Sequence, residues 1–337
     1  MISSSGYQFQ KHAQGVALIT ILLVVVIATV LGVSMTTDQH FAINRARTFF
    51  DQSIVRQYAL GGEELARQIL HKDFIDSPET DHQAENWAAV DMRFEFEQGE
   101  IELLIEDLQG RINLNTLLLE GENRRVTKDR VTALFAEQGL DAAYVDRVLD
   151  WIDQDNGVSS LGAEDYEYLG LERPYRAANQ MMLDISELRL ILEMDAETFG
   201  KIAPYVAVIP DSRTSVNVNT AAPAVLQAIA PGLSLAGAET IVAGREANGP
   251  YNSADEFAAD SSLTKEVAQG ITLGGLSVQS SFFQVSVRAR FQDRFGYLTS
   301  IIQRDQTDGT MRVIYRDQGK KIKPFIAAED QNEAVNG

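Results

Sequence analysis

The sequence contains no cysteine, which excludes disulfides, thiolate metal sites and thiol nucleophiles. Its four histidines, His12, His40, His71 and His82, all precede residue 83, so the longer remainder offers neither a Ser-His-Asp triad nor a His-ligated zinc site. Basic residues are scarce, since 29 Lys and Arg against 48 Asp and Glu give a net charge of −19. This balance disfavours a polyanion-binding protein, because sequence-independent affinity for phosphates needs clustered cations.

Residues 16–37 carry no charge, and residues 16–33 are almost wholly apolar. Eighteen helical residues span about 27 Å, close to the roughly 30 Å hydrocarbon core of a bilayer. Lys11 and His12 before this segment and the acidic bulk after it predict a leader inside and a body outside. An uncleaved signal anchor and a secretory signal peptide are the alternatives, although residues 29–34 make a poor cleavage site.

The helical pattern continues beyond the apolar segment, and no proline occurs before Pro78. Its apolar stripe consists of Phe49, Phe50, Ile54, Tyr58, Leu65, Ile69 and Leu70. One helix is therefore predicted from the membrane to about residue 72, with a stripe that must pack on something. Such a helix resembles the spine of type IV pilin-like proteins, and Gly15 followed by Val16 resembles a prepilin peptidase site. The fifth mature residue is Thr20, where most pilins carry a Glu that is thought to pair with the N-terminal ammonium of a neighbouring subunit. Its absence favours the tip of a fibre, because a carboxylate in the bilayer persists only if paired.

Strand-like segments flank a long helical region. Residues 93–97 and 100–107 read as one hairpin, and residues 281–291, 297–304 and 311–316 read as three more strands. Residues between about 112 and 275 are dominated by helical patterns. The predicted fold class is α+β, a long N-terminal helix on an antiparallel sheet with a large all-α domain inserted between strands. The predicted segments are a leader at 1–15, a membrane half at 16–37, a helix with first strands at 38–110, an insert at 111–276, closing strands at 277–316 and a flexible polar tail at 317–337.

The insert contains a weak repeat with an N-[LV]-N-T core, beginning at Asn113 and at Asn217. Asn or Thr there is expected to cap the helix that follows. The second copy continues in an order that resembles a helix-hairpin-helix or SAM-like module. Residues 215–262 hold one basic residue, Arg245, against five acidic ones. Protein contact or scaffolding is therefore favoured over DNA binding.

An acidic segment is the best candidate site. Residues 141–172 hold nine acidic residues and one basic residue. Asp153, Asp155 and Glu164 occupy the first, third and twelfth positions of a calcium loop, but Gly157 falls one position too early for an EF-hand. A looser oxygen-rich calcium site and a solvated acidic face are both open readings. A carboxylate pair for sugar cleavage is a third, and no catalytic constellation is identified.

Taken together, the chain resembles the minor pseudopilin K family of type II secretion systems. The resemblance rests on the leader with Gly15 and Val16, on Thr20, on the DWID-x-D and GAEDYEY motifs, on PYRAAN at 174–179 and on SVNVNTA at 215–221. It implies a pseudopilin αβ-fold with a helical insertion, calcium in the body, and cleavage and methylation at Val16 by a prepilin peptidase. The implied calcium ligands are Asp153, Asp155 and Glu164, followed by Asp150 and Asp165.

The family also implies a non-enzymatic role at the inner membrane, with the body in the periplasm. Its expected partners are the minor pseudopilins I and J, followed by H and the major pseudopilin, in a complex that caps the pseudopilus and helps to start its assembly. No nucleic acid is expected. Two competing hypotheses are a membrane-anchored DNA-binding protein of an uptake apparatus and an anchored periplasmic enzyme.

Overall fold

A long helix opens the chain. The computed structural model describes residues 10–90 and 92–319, with side chains from residue 16 onward. Helix α1 (Gln10–Asp76) has 67 residues, which corresponds to about 100 Å. Its first part contains a solvent-exposed window of mean hydropathy 3.1, so α1 is long and apolar enough to cross a membrane. Residues 1–9 of the predicted leader and residues 320–337 of the predicted tail lie outside the described residues.

After α1 the chain alternates between long strands and short helices. The strands are, in chain order, β1 (Met92–Phe96), β2 (Gly99–Asp107), β3 (Ile112–Asn113), β4 (Val206–Ala207), β5 (Val216–Asn217), β6 (Leu276–Ser277), β7 (Phe282–Phe291), β8 (Arg294–Arg304) and β9 (Met311–Asp317). The helices are α2 (Gly121–Glu137), α3 (Ala143–Ile152), α4 (Asp165–Leu169), α5 (Ala196–Ile202), α6 (Pro223–Ile229), α7 (Leu235–Asn248), α8 (Ala254–Ala258) and α9 (Lys265–Gly270). Short 3-10 helices cover Asn86–Ala88, Leu108–Gly110, Leu114–Leu118 and Ile185–Leu190.

The long strands form one antiparallel sheet in the order β1-β2-β7-β8-β9. Leu103 of β2 lies opposite Val287 of β7, which lies opposite Leu298 of β8. These residues share a core with the second half of α1. The helix approaches the sheet so closely that a Cβ at Gly296 would lie 2.3 Å from Val55 Cγ1. The predicted α+β architecture, a helix on an antiparallel sheet with a mainly helical insert between strands, is confirmed.

The apolar stripe of α1 packs on the body only in part. Tyr58, Leu65 and Ile69 are partly buried against the sheet, and Leu70 is fully buried. The three remaining members of the predicted stripe lie nearer the N-terminus: Phe49 and Phe50 are exposed, and Ile54 is partly buried. The boundary falls at the β7–β8 turn, where Arg47 donates a 3.2 Å hydrogen bond to the Gln292 side chain. Periodicity identifies the face of a helix but not where its partner ends.

The insert between β2 and β7 has a core of its own, built around Trp151, Phe135 and Leu226. Within residues 108–281, all of which the structure describes, β3 pairs with β4 and β5 pairs with β6, both in parallel. The all-α description of the insert was therefore wrong in this respect. Strands of two residues are too short to produce an alternating pattern in the sequence.

The two N-[LV]-N-T copies occupy equivalent places in the insert. Asn113 lies in β3 and Asn217 in β5, and each side-chain oxygen accepts a hydrogen bond from the backbone N–H two residues later. In the first copy this caps the 3-10 turn Leu114–Leu118. In the second copy the capping prediction was wrong, because α6 begins only at Pro223, after Ala222.

The second asparagine of each copy ties distant chain segments together. Asn115 accepts from Met182 N at 2.9 Å and donates to Met182 O at 3.0 Å. Asn219 does the same with Tyr251, at 2.9 Å in both directions. The repeat is therefore structural, and each copy closes one unit of the insert. The first unit is the part of the insert up to the end of β4, and the second unit is the part that follows β4.

A buried polar cluster joins the sheet to the insert. Arg304 of β8, 4% exposed, forms ion pairs with Asp73 at 3.2 Å and with Asp81. Asp107 at the end of β2 accepts from Ser280 Oγ at 2.6 Å and from Asn217 Nδ2 at 3.2 Å. Burial and the neighbouring Glu85 raise the pKa of Asp73 to about 7, and burial raises the pKa of Asp107 to about 6.

Candidate metal centre

The acidic segment forms a loop between two helices of the insert. The buried face of α3 places Val148, Trp151 and Ile152 in the core, and the helix ends at Ile152. The loop then runs over residues 153–164 before α4 begins. Glu164 precedes α4, and its backbone N–H donates to the Glu167 carboxylate at 2.9 Å. Both ends of the loop are therefore fixed by helices.

The structure brings three of the predicted carboxylates together. Asp153, Asp155 and Glu164 each offer one oxygen, and these oxygens lie within 4.8 Å of one another. Glu164 is 2% exposed, whereas Asp153 is half-buried and Asp155 is exposed. The cluster thus has one buried carboxylate and an open side through which an ion can enter.

The buried oxygens of this cluster lack protein donors. Both Glu164 Oε atoms and Asp153 Oδ1 are buried without a hydrogen-bond partner. Burial, followed by the charges of Asp150, Asp153 and Asp155, raises the pKa of Glu164 to about 7. Burial and the charges of Asp155 and Asp150 raise the pKa of Asp153 to about 6. Unpartnered buried carboxylates need a proton or a cation for compensation.

Asp150, another predicted ligand, holds the loop in place. It is fully buried, and its two oxygens accept from Ser159 N at 3.2 and 3.0 Å. One turn earlier, Asp146 accepts from Leu161 N at 3.2 Å and pairs with Lys128 at 2.6 Å. Gly162 is required here, because a Cβ would lie 1.8 Å from Asp150 Oδ2. Asp150 therefore lies behind the three-carboxylate cluster and positions the loop that carries it.

Asp165, the last predicted ligand, faces a different partner. Its Oδ1 accepts from Ala177 N at 3.1 Å, and its Oδ2 pairs with Arg176 at 3.2 Å. These contacts attach the start of α4 to the following segment. The structure does not bring the Asp165 carboxylate into the three-carboxylate cluster.

Asn179 belongs to the same loop, although sequence reasoning did not single it out as a site residue. Its backbone has φ 46°, and its N–H donates to Trp151 O at 2.9 Å. Its Nδ2 donates to Asp155 O at 3.3 Å and to Asn156 Oδ1 at 3.0 Å, while its own Oδ1 is buried without a partner. The signal for this residue was weak, since a lone asparagine 24 positions after Asp155 carries no metal-site pattern.

The donor set limits which ion fits. The three clustered side chains offer only carboxylate oxygens, which suit hard cations such as calcium or magnesium. Calcium tolerates six to eight oxygens in irregular geometry, whereas magnesium demands a near-ideal octahedron. An irregular loop with one exposed and one buried end fits calcium better. The residues present therefore fit the ion that the family resemblance implied.

A second carboxylate cluster differs from the first because an arginine is already paired with it. Asp73, Asp81 and Glu85 also lie within 4.8 Å of one another. Their cation is already present, since the Arg304 guanidinium pairs with Asp73 and Asp81. A second cation beside a buried guanidinium would be repelled, so this cluster is a structural ion-pair network.

The helix-hairpin-helix candidate lacks an available cation for DNA. Arg245 of α7 donates to Val218 O at 2.6 Å and to Ala221 O at 2.7 Å. Arg245 is the single basic residue between residues 215 and 262, and its guanidinium is engaged with these carbonyls inside the insert. This observation weakens the DNA-binding hypothesis, which needs cations directed at phosphates.

Two protein-family models match the insert, one after the other along the chain. Residues 110–211 match a family model for the first domain of type II secretion system protein K, and residues 216–279 match a second model for the same protein. The first match encloses the β3–β4 pair and the acidic loop. The second encloses the β5–β6 pair.

Similar proteins extend the match over most of the chain. Type II secretion system protein K of Pseudomonas aeruginosa is 39% identical over 340 residues, covering 94% of this chain and 96% of its own length. The protein of the same name from Klebsiella pneumoniae is 34% identical over 268 residues, covering 76% of this chain and 82% of its own length.

A solved structure has the same fold. It is the crystal structure of the GspK-GspI-GspJ complex of the enterotoxigenic Escherichia coli type 2 secretion system. One of its chains matches with a TM-score of 0.72 and 26% identity, covering 82% of this chain and all of that one.

Proposed function

Because the chain belongs to the type II secretion system protein K family, we propose that it caps the tip of the pseudopilus and helps to start its assembly. Its proposed partners are the minor pseudopilins I and J, since the similar solved structure is a complex of GspK with GspI and GspJ. The minor pseudopilin H and the major pseudopilin are proposed to lie below this complex.

The observation that carries the tip proposal is the state of Thr20. Its hydroxyl donates within α1, to Ala17 O at 2.9 Å and to Val16 O at 3.2 Å. A polar group inside a bilayer must be satisfied, and this one is satisfied by its own helix. Glu at this position would need a cation from a subunit above it. A subunit whose polar residue needs no partner is suited to the end of a fibre.

The proposed anchor is the free part of α1. Residues 16–46 precede the first polar contact of α1 with the sheet, at Arg47. Thirty-one helical residues span about 46 Å, more than the roughly 30 Å core of a bilayer. We place residues 16–37 of this segment in the inner membrane and the body in the periplasm, about 15 Å or more from the hydrocarbon core. Exposed Phe49 and Phe50 lie at that level and are available to partner helices.

The leader is proposed to be removed by the prepilin peptidase after Gly15, followed by methylation of Val16. The intact mass of the protein from its native membrane tests this proposal. Loss of residues 1–15 and a gain of one methyl group are expected only when the peptidase is present. An unprocessed mass in the presence of the peptidase would contradict it.

Calcium is proposed as a structural ion of the acidic loop. Asp153, Asp155 and Glu164 would hold it, and Asn179 Oδ1 is the additional oxygen at the same loop without a partner. The ion would supply positive charge to a site where buried carboxylates lack donors. Asp150 positions the loop through Ser159 N. The role proposed for the whole protein is mechanical, without a catalytic step.

Gold labelling tests the tip position directly. The native chain has no cysteine, so Ser261→Cys, at an exposed residue of the insert, introduces the single thiol for a maleimide-linked gold particle. On isolated pseudopili we expect one particle at one end of each fibre. Particles along the shaft, or unlabelled fibres in a labelled sample, would contradict the tip proposal.

A substitution at Thr20 tests the physical reason for that position. Thr20→Glu places a carboxylate that nothing above the tip would neutralise, so secretion and association with I and J should fall. Thr20→Val is the matched control, since it keeps the shape and removes the hydroxyl, and it should leave both near the wild-type level. Equal performance of the two variants would refute the reasoning.

A further inference from the structure

A cleft separates the two units of the insert, away from the acidic loop. Its volume is about 340 Å³, near the small end of ligand-binding pockets. One wall is formed by the first unit, from Arg111 to Arg130, and the other by the second unit, from Arg213 to Val216. Gly274 and Gly275 complete the lining. The cleft opens to the surface, so an extended segment can enter it.

The charge of this cleft is opposite to that of the protein. Arg111, Arg130 and Arg213 line it, and none of the described lining residues is acidic. The whole chain carries a net charge of −19. A local concentration of arginine in such a chain raises the local concentration of anions at this point.

Two of the three arginines have no carboxylate partner within the described part of the chain. Arg130 is 8% exposed, and its guanidinium donates to Thr272 O at 2.6 Å and to Gly274 O at 2.9 Å. Burial lowers the pKa of Arg130 to about 10, so it stays charged at neutral pH. Arg213 is exposed at the mouth of the cleft. Arg111 shares its charge with Glu106 at 2.7 Å.

Helix α2 contributes polar side chains to the cleft. Asn123 in its first turn and Thr127 one turn later line the cleft. Glu120 precedes the helix and makes no side-chain capping bond. The Asn123 and Thr127 side chains offer hydrogen bonds to an acid, and the Glu122 carboxylate of the first turn is paired with Arg125 outside the cleft lining.

We propose that this cleft binds the carboxylate of an acidic peptide segment. The exposed Arg213 guanidinium can match a carboxylate with two parallel hydrogen bonds, whereas Arg130, which is engaged with backbone carbonyls, contributes its charge. Ile112, Val126 and Val216 also line the cleft and suit the methylene groups of a Glu or Asp side chain. A polyanion such as DNA is disfavoured by the overall negative charge, whereas a single carboxylate responds mainly to the charges nearest to it.

Isothermal titration calorimetry on the full chain in detergent tests this proposal. The probes are acetyl-Glu₄-amide and the neutral acetyl-Gln₄-amide, titrated at low salt and constant calcium concentration. The Glu peptide is expected to bind at least about tenfold more tightly than the Gln peptide, because charge-assisted hydrogen bonds are the stronger ones. Equal affinity for the two peptides would overturn the proposal.

Matched arginine variants locate the binding. Arg213→Gln should weaken binding of the Glu peptide by about tenfold, and Arg213→Lys should recover part of it. Arg312→Gln removes the same charge from an exposed position on β9 and should leave the affinity unchanged. Equal loss in the Arg213 and Arg312 variants would refute the site. Displacement by inorganic phosphate at similar concentration would show a general anion site and refute the assignment to acidic peptides.

Discussion

Calcium should stabilise the folded chain through the three-carboxylate cluster, and a single substitution should remove the effect. Glu164→Gln keeps the size of the side chain and removes the buried charge. Calcium sites in extracellular modules have Kd values of about 10⁻⁴–10⁻³ M. At about 10 mM calcium, ten to a hundred times Kd, ligand binding then adds about 1.4–2.7 kcal/mol to the free energy of unfolding. For a body of this size, this raises Tm by about 3–10 °C.

The sign of the substitution effect without calcium separates this explanation from simple damage to the fold. Burial and neighbouring carboxylates raise the pKa of Glu164 to about 7. At pH 7.5 without calcium, the folded protein must therefore keep a charged Glu164 carboxylate buried beside other carboxylates. Removing that charge should leave Tm in EGTA unchanged or higher. In calcium, the same variant should show a shift of less than about 1 °C, because too few ligands remain.

Differential scanning calorimetry in EGTA and in calcium measures both effects. Glu172→Gln is the matched control, since Glu172 is an exposed acidic residue of the same segment outside the cluster. It should retain the wild-type calcium response. The reasoning would be refuted by a wild-type chain whose Tm ignores calcium, or by a Glu164→Gln variant that responds like the wild type.

Three other perturbations follow from the packing. Gly162→Ala places a methyl group where the Asp150 carboxylate lies, so chemical denaturation should show a free energy of unfolding lower by about 1–3 kcal/mol. Gly200→Ala, which has open space around it, should leave the free energy of unfolding unchanged or slightly raised. Arg304→Met leaves the buried Asp73 and Asp81 carboxylates without their cation, so the same denaturation experiment should show a free energy of unfolding lower by about 3–5 kcal/mol. Arg294→Met, at an exposed position, should change it by less than about 0.5 kcal/mol. Asp73 has a folded pKa raised to about 7, so the native state binds more protons than the unfolded state, and stability should fall as pH rises from about 4 through 7. Asp73→Asn should flatten that part of a Tm-against-pH curve measured in calcium, and an unchanged slope would contradict the assignment.

The long elements of the fold were predictable because their patterns repeat over many residues. The alternation Phe283, Val285, Val287 along β7 places every second residue in the core. Helix α1 was predictable because proline is absent before Pro78 and the spacing of apolar residues persists. The parallel pairs β3–β4 and β5–β6 were not predictable, since two residues define no period.

The candidate metal site was predictable only in its charged members. Asp153, Asp155 and Glu164 could be selected because their spacing resembles that of a calcium loop, and the fold brings their oxygens together. The role of Asp150 could not be predicted because it depends on the path of the loop. Its carboxylate accepts a hydrogen bond from the backbone N–H of Ser159, nine residues later. Asn179 depends on a left-handed backbone conformation far along the chain, for which the sequence offers no local signal.

The two units of the insert enclose different lengths of chain, and the acidic loop lies in the longer one. Asn115 closes its unit onto Met182 across 67 residues, whereas Asn219 closes onto Tyr251 across 32. Doubling the enclosed length costs only about 0.6 kcal/mol in closure entropy, but the additional residues must also be held in one conformation. A chain without cysteine has no disulfide for this purpose. Asp146 and Asp150 hold the enclosed loop through backbone N–H groups, and the proposed ion would join its two ends at Asp153 and Glu164. The proposed cation would then have the structural role that a disulfide has in exported domains.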